Sequence, residues 1–208
     1  MKSKKVNWGH VIVFIILILC MIVTLLPFVW MILTSLKTQA ESICIPLKIF
    51  PEKPLFSNYA AVFTKIPFAK MYLNTAVTAT VIVVVQLILC SMAAYAFARM
   101  KFTGRKLLFG IILLTMMIPF QVVMIPLYME EYKLGILNTF LGLILPRAAS
   151  AYGIFMLTSF FSGIPKSLDE AAKIDGMGEW KIYLKIILPL AKPALVTLGI
   201  YHFMNNWN

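Results

Sequence analysis

The chain has 208 residues, 61% of them hydrophobic, and a mean hydropathy of +0.89. Soluble domains are about half apolar, and here the excess is gathered into long blocks, which excludes a soluble globular core. The net charge of +11 comes from 19 Lys and Arg against 8 Asp and Glu, placed in loops between the apolar blocks. That pattern fits the basic cytoplasmic loops of membrane proteins and excludes a nucleic-acid surface.

The first apolar block runs from about 11 to 33. A bilayer core needs roughly 20 helical residues. The basic Met1-Lys2-Ser3-Lys4-Lys5 ahead of it resembles the start of a signal peptide. The apolar part is too long for one, and no small-residue cleavage site follows. We read an uncleaved span with a cytoplasmic N-terminus. Residues 34–73 are mixed and carry Pro46, Pro51, Pro54 and Pro67, and Phe50-Pro51 through Ser57-Asn58-Tyr59 reads as an ordered loop.

The second span is expected at 74–97. Its Cys90, Ala94 and Ala98 lie four apart, a small-residue stripe that admits a neighbouring helix closely. Arg99 to Lys106 is a short basic loop without acids, the clearest cytoplasmic marker. A third span is expected at 107–129, then an acidic outer turn at Glu130 and Glu131, and a fourth span at 138–161. Residues 162–192 form a loop, and 193–208 begin a fifth span. Twelve Lys and Arg fall on the proposed inner side and six on the outer, which sets the orientation. The whole reads as a single transmembrane domain, an all-α polytopic bundle.

Pro27, Pro119, Pro126 and Pro146 lie inside spans. The backbone groups they free need neighbouring helices or a wet cavity, which favours a transport bundle over a simple anchor. Polar groups at membrane depth tend to face a cavity, and Gln86 and Gln121 are the candidates for lining a pore. Arg147 is expected to snorkel or to pair with a carbonyl freed by Pro146. Cys20, Cys44 and Cys90 make neither a CxxC pair nor an even framework, so no disulfide scaffold or metal site is expected. His10 and His202 read as packed or interfacial imidazoles. No G-x-x-x-x-G-K-[ST], GxSxG or HExxH occurs, so no nucleotide site and no catalysis are expected.

The loop at 162–192 carries the chemistry. Ser167-Leu168-Asp169-Glu170 reads as a capping box opening a helix to about Asp175. Gly176 follows where a left-handed backbone ends the helix. Ala171 and Ala172 leave a face of little bulk. A second helix is expected from about Glu179 to Leu188, with Trp180, Tyr183, Leu184, Ile187 and Leu188 on one apolar stripe. Pro189 and Pro193 then turn the chain back to the membrane.

Glu170-Ala171-Ala172, three residues, Gly176, nine residues, then Ile186, Leu188 and Pro189 form the pattern E-A-A…G…I-x-L-P. This resembles the cytoplasmic loop signature of permease subunits of ATP-binding-cassette importers. Tyr95-Ala96-Phe97-Ala98-Arg99, Met117-Ile118-Pro119, Ile125-Pro126-Leu127-Tyr128 and Leu137-Asn138-Thr139 are similar to the carbohydrate branch, most closely to a maltose-type second permease subunit. The resemblance implies a type I importer permease in a prokaryotic plasma membrane. Glu170, Ala171, Ala172, Asp175 and Gly176 would contact an ATPase subunit, supported by Ser167, Trp180, Ile186, Leu188 and Pro189. It implies no cofactor of its own, ATP being bound by ATPase subunits. The other partners implied are a second permease, an extracytoplasmic solute-binding protein and membrane lipid. Such permeases usually have six spans, so the end at Asn208 reads as a truncation. Other solutes (amino acids, peptides, a phosphorylated polyol), an ion-coupled transporter and a non-transporting scaffold are the alternatives.

Overall fold

The computed structural model describes residues 8–207. The basic N-terminal residues used for orientation, and Asn208, lie outside them. Where the sequence reads as one domain, the chain divides into two compact units, Met1–Lys70 and Met71–Asn208, because contacts gather within each stretch.

In the first unit, α1 (Trp8–Ser35) covers the first expected span and carries Pro27 within it. Its apolar side chains are exposed almost throughout, as on a helix whose solvent is lipid. The segment after it is held by polar contacts, the Lys37 and Asn58 bonds part-buried and the Thr38–Glu41 bond exposed. Lys37 is buried, with Nζ over the Trp30 ring at 4.4 Å and donating to the Lys48 carbonyl at 2.6 Å. Thr38 and Glu41 make a capping box at the start of α2 (Gln39–Ser42). Asn58, in α3 (Ser57–Lys65), donates to the carbonyls of Ser35 and Lys37.

The second long helix, α4 (Phe68–Arg99), starts six residues before the expected span at Asn74 and ends at the basic loop. The third expected span is not one helix. It is α5 (Arg105–Thr115) and α6 (Phe120–Lys133), bent by 98°. The cause is Pro119, which lacks an amide N–H and blocks helical continuation. Met116, Met117 and Ile118 close in tight i−3 turns ahead of it. Pro126 is tolerated inside α6. Glu130 and Glu131, expected in a turn, belong to the last turn of α6, which ends on Gly135 at φ +68°.

The fourth expected span is also divided. It consists of α7 (Phe140–Ile144), a 3₁₀ turn at Leu145–Arg147 holding Pro146, and α8 (Ala151–Gly163), bent by 43°. Ser150 caps α8 by accepting from the Gly153 amide at 3.2 Å. Next come α9 (Ser167–Ile174), α10 (Glu179–Ile182), a π-helical stretch Tyr183–Ile187, α11 (Leu188–Leu190) and α12 (Lys192–Trp207).

The core of the second unit joins four parts. α4 gives Cys90, Ala94, Tyr95, Phe97 and Ala98, and α8 gives Ile154, Leu157 and Phe161. The loop gives Ala172, Ile182, Tyr183, Ile187 and Ala191, and α12 gives Ala194 and Leu198. Lipid supplies little hydrophobic force between helices, so association depends on close packing by small residues. The stripe of Cys90, Ala94 and Ala98 is fully used for this. Gly153 completes it: a Cβ there would meet Cys90 Sγ and His202 Nε2, each at 3.1 Å.

Candidate functional site

The residues of the E-A-A…G pattern fall on α9 and the turn after it. The expected capping box is absent. Ser167 lies inside the first turn, because Lys166 is itself in the helical region. The carbonyls of Pro165 and Lys166 take the amides of Leu168, Asp169 and Glu170, leaving the Ser167 hydroxyl no capping task. At the other end Gly176 has φ +78°. Its amide donates to the Lys173 carbonyl at 3.0 Å, and that of Met177 to Ala172 at 2.9 Å. These two bonds make a Schellman motif, with Met177 and Ala172 both packed into the core.

The two alanines separate. Ala172 is 3% exposed and roots the helix in the core, while Glu170, Ala171, Asp175 and Gly176 face outward. Ile174 stands with them at 87% exposure. The sequence reading left it out of the contact residues, although it stands one turn from Glu170 on the same short helix. The result is a small, short knob, acidic and apolar, with Ala171 and Gly176 exposed on it.

The second helix of the loop is also turned from its expected face. Ile182, Ile187 and Ala191 are fully buried, with Tyr183 beside them, while Trp180 and Leu184 are exposed. The π-helical stretch explains the shift: its wider turn brings residues five apart onto one face. Ile186 and Leu188 are half-buried against the core, and Pro189 is exposed within α11.

Three side chains along one face of α4 hold this loop. Ser91 Oγ and the Tyr183 hydroxyl are 2.7 Å apart. The Tyr95 hydroxyl donates to Glu179 Oε2 at 2.6 Å. Arg99 Nη2 donates to the Ile164 carbonyl at 2.7 Å, and Nη1 stands 3.2 Å from Asp169 Oδ2. Glu179 is also paired with Lys173 at 2.6 Å, across the Gly176 turn. The Lys173 ammonium, then the Tyr95 hydroxyl, hold the Glu179 carboxyl below the usual carboxylate range. The same hydrogen bond and charge raise Lys173 above the usual lysine value. The sequence showed Tyr95 and Arg99 as the ends of a family-like run and Glu179 as a helix start, but gave none of these, nor Lys173, a partner.

Cavities open beside the loop and between the helices. One of about 330 Å³ is walled by Met92, Tyr95, Met100, Glu179, Trp180 and Tyr183, with ring centroids 5.3 and 5.5 Å apart for Tyr95–Tyr183 and Trp180–Tyr183. The other, about 880 Å³, is larger and of mixed lining, with Ile82, Leu137, Phe140 and Leu143 beside its polar groups. It is lined by Asn74, Thr75 and Thr78 of α4, Tyr128 and Glu131 of α6, Asn138, Thr139 and Arg147 between helices, and Asn206 and Trp207 of α12. Arg147 reaches Asn206 Oδ1 at 3.2 Å and not a carbonyl near Pro146. Neither Gln86 nor Gln121 lines this cavity. Gln86 is buried one turn beyond Ile82, which does, and Gln121 is exposed on α6.

Comparison with known proteins agrees with this geometry. Residues 86–208 match the family described as binding-protein-dependent transport system inner membrane component. The chain is 33% identical over 195 residues to a diacetylchitobiose uptake system permease protein of Streptomyces coelicolor, covering 93% of this chain and 64% of that one. It is 32% identical over 208 residues to a lactose transport system permease protein of Rhizobium radiobacter, covering 100% and 76%. With a trehalose transport system permease protein of Mycobacterium tuberculosis it shares 38% identity, covering 88% and 67%. The chain thus spans about two thirds to three quarters of the length of these relatives. Among solved structures, a crystal structure of a bacterial ABC transporter involved in import of the acidic polysaccharide alginate superposes with TM-score 0.84 at 28% identity, covering 100% of this chain and 74% of that one. Both the loop and its packing fall within the matched segment, and the chain belongs to the family of binding-protein-dependent transport system inner membrane components.

Proposed function

We propose that the chain is the permease subunit of an ATP-binding-cassette importer in a prokaryotic plasma membrane, carrying a carbohydrate inward on the energy of separate ATPase subunits. The observation that carries this reading is the outward face of α9. Glu170, Ala171, Ile174 and Asp175 are exposed on a helix whose opposite side is rooted in the core through Ala172. A short helix so anchored, ended by a Schellman turn, suits insertion into a cleft of another protein. Its acidic residues near the N-terminus and its exposed isoleucine supply charge and an apolar anchor.

The carbohydrate assignment is supported by the solutes named for the relatives and by the larger cavity. Tyr128 and Trp207 offer ring surfaces there, beside the amides, hydroxyls and guanidinium of Asn138, Thr78, Asn206 and Arg147. Convergent polar groups on an aromatic wall match a hydroxyl-rich ligand. In the cycle that follows, a binding protein delivers the sugar from outside. ATP binds only to the partner ATPases, and their closure moves α9. A second permease completes the passage, and lipid surrounds α1. The N-terminus lies in the cytoplasm.

The test is uptake of labelled oligosaccharides by cells expressing the chain as encoded with its native partners. Uptake that needs both the binding protein and the ATPase supports the assignment. Uptake restricted to amino acids or peptides refutes the carbohydrate assignment, and uptake independent of any ATPase refutes the importer reading.

A further inference from the structure

We propose that Arg99, with Tyr95, is a positioning residue that ties the ATPase-facing loop to the membrane helix α4 and converts movement of α9 into movement of α4. This rests on the reading of α9 as the ATPase contact, and adds the route by which the push enters the membrane.

Arg99 is the last residue of α4, and its side chain is 2% exposed. It holds two points of the loop at once: the Ile164 carbonyl, where α8 ends, and Asp169, in the first turn of α9. Asp169 is 13% exposed and adjoins Glu170 of the docking face. One turn earlier on α4, Tyr95 holds Glu179, at the start of α10. The two attachments therefore bracket α9 and the Gly176 turn from both sides. A displacement of α9 relative to α4 must stretch at least one of them.

Buried charge is tolerated only where it is paired, and a partner lost in such surroundings leaves the other charge stranded. The loop and α4 are thereby obliged to move together. The pair also has unspent capacity. Arg99 Nε and Nη1 and Asp169 Oδ1 are buried without a protein hydrogen-bond partner, so the Nη1–Oδ2 contact is an ion pair without good alignment. A planar guanidinium has five N–H donors in a fixed fork. Rotation of α9 by a fraction of a turn can bring Asp169 into two-pronged register with Arg99, giving a second arrangement at no loss of pairing. A purely structural tie would be fully engaged already.

The experiment uses the assembled transporter, the chain as encoded with its native partners, in proteoliposomes. Solute moved per ATP hydrolysed is measured, together with ATPase bound per chain. Arg99→Gln and Tyr95→Phe should each keep the ATPase, since the docking face is untouched. Each should lower solute moved per ATP roughly tenfold, the ratio that loss of a charge-assisted hydrogen bond represents. Arg99→Asp combined with Asp169→Arg should recover most of that loss. Tyr95→Phe, which removes one oxygen, keeps the test open if Arg99→Gln fails to accumulate. Normal transport per ATP in Tyr95→Phe overturns the inference, as does a loss that merely follows the amount of folded permease. An exchanged pair no better than Arg99→Gln overturns it also. An ATPase absent from the unmodified preparation overturns the docking reading and this inference together. Normal transport per ATP with the ATPase bound overturns this inference alone.

Discussion

Gly176 offers the sharpest test of the loop, because its structural cost separates into backbone and bulk. Its φ of +78° lies in the left-handed region, and a Cβ added there would meet nothing within 4 Å. Substitution therefore costs backbone strain alone, roughly 1–2 kcal/mol for an ordinary residue. Asn adopts this conformation readily, and a β-branched residue is the least tolerant of it. The expected order of loop stability is Gly, then Asn close behind, then Ala, then Val. The two Schellman bonds report it directly: exchange of the Met177 and Gly-position amides should quicken about five- to thirtyfold in Gly176→Ala. Span packing should be unchanged, since the turn is open. Co-purification of the ATPase, normalised to permease, should follow the same order. If Gly176→Asn loses the ATPase as fully as Gly176→Val while its amides stay protected, bulk in the docking cleft and not the backbone sets the requirement, and the strain argument is wrong.

Ile174→Glu should leave the chain folded, because its side chain touches little within it, yet should abolish retention of the ATPase in the same pull-down. Gly153→Val should be destabilising by about 1–3 kcal/mol, since its side chain must displace Cys90 and His202; a thermal unfolding scan in detergent equal to the parent would refute this. The Glu179 carboxyl is held below the usual 4.5, so its tie is complete above that value and fades as pH falls through the depressed one. Lys173 is raised above 10.5, so its half of the pair is lost only as pH rises past that value. Exchange at the Gly176 turn should accordingly be insensitive to this pair between those limits and quicken outside them; an inflection near neutrality would contradict the assignment. A reporter fused after Arg105 should read cytoplasmic and one after Glu52 external, and the opposite pair of results would reverse the orientation.

The apolar blocks were legible because each helix in lipid must satisfy its own backbone, which demands long uninterrupted apolar runs. Gly176 was legible because few residues tolerate its backbone. The breaks at Pro119 and Pro146 were visible as prolines, but not as bends of 98° and 43°, since Pro27 and Pro126 sit within continuous helices. What separates them is whether neighbouring residues close tighter turns, a matter of packing. Arg99 and Tyr95 were visible as the ends of a family-like run, but their ties were hidden because the partners lie far along the chain and a terminal arginine reads as a topology signal. The division between Ala171 and Ala172 was hidden because two adjacent alanines carry no asymmetry of their own. Ser167 misled because Ser-x-x-Glu is a cap only when the preceding backbone is extended, and here it is already helical.

The π-helical stretch at Tyr183–Ile187 holds one residue more than an α-helix would need to cover the same rise. Each residue advances an α-helix by about 100°. The wider turn absorbs that surplus residue locally, so Ile182 and Ile187 share the buried face while the helix that follows keeps its register. A single deletion at exposed Leu184 would let the stretch relax to regular α pitch with little local loss. It would leave α12 in phase with the loop, whereas the same deletion in regular α-helix would turn everything after it by about 100°. The surplus residue is thus slack wound into the loop, a place where one residue can be lost without turning the helix beyond it.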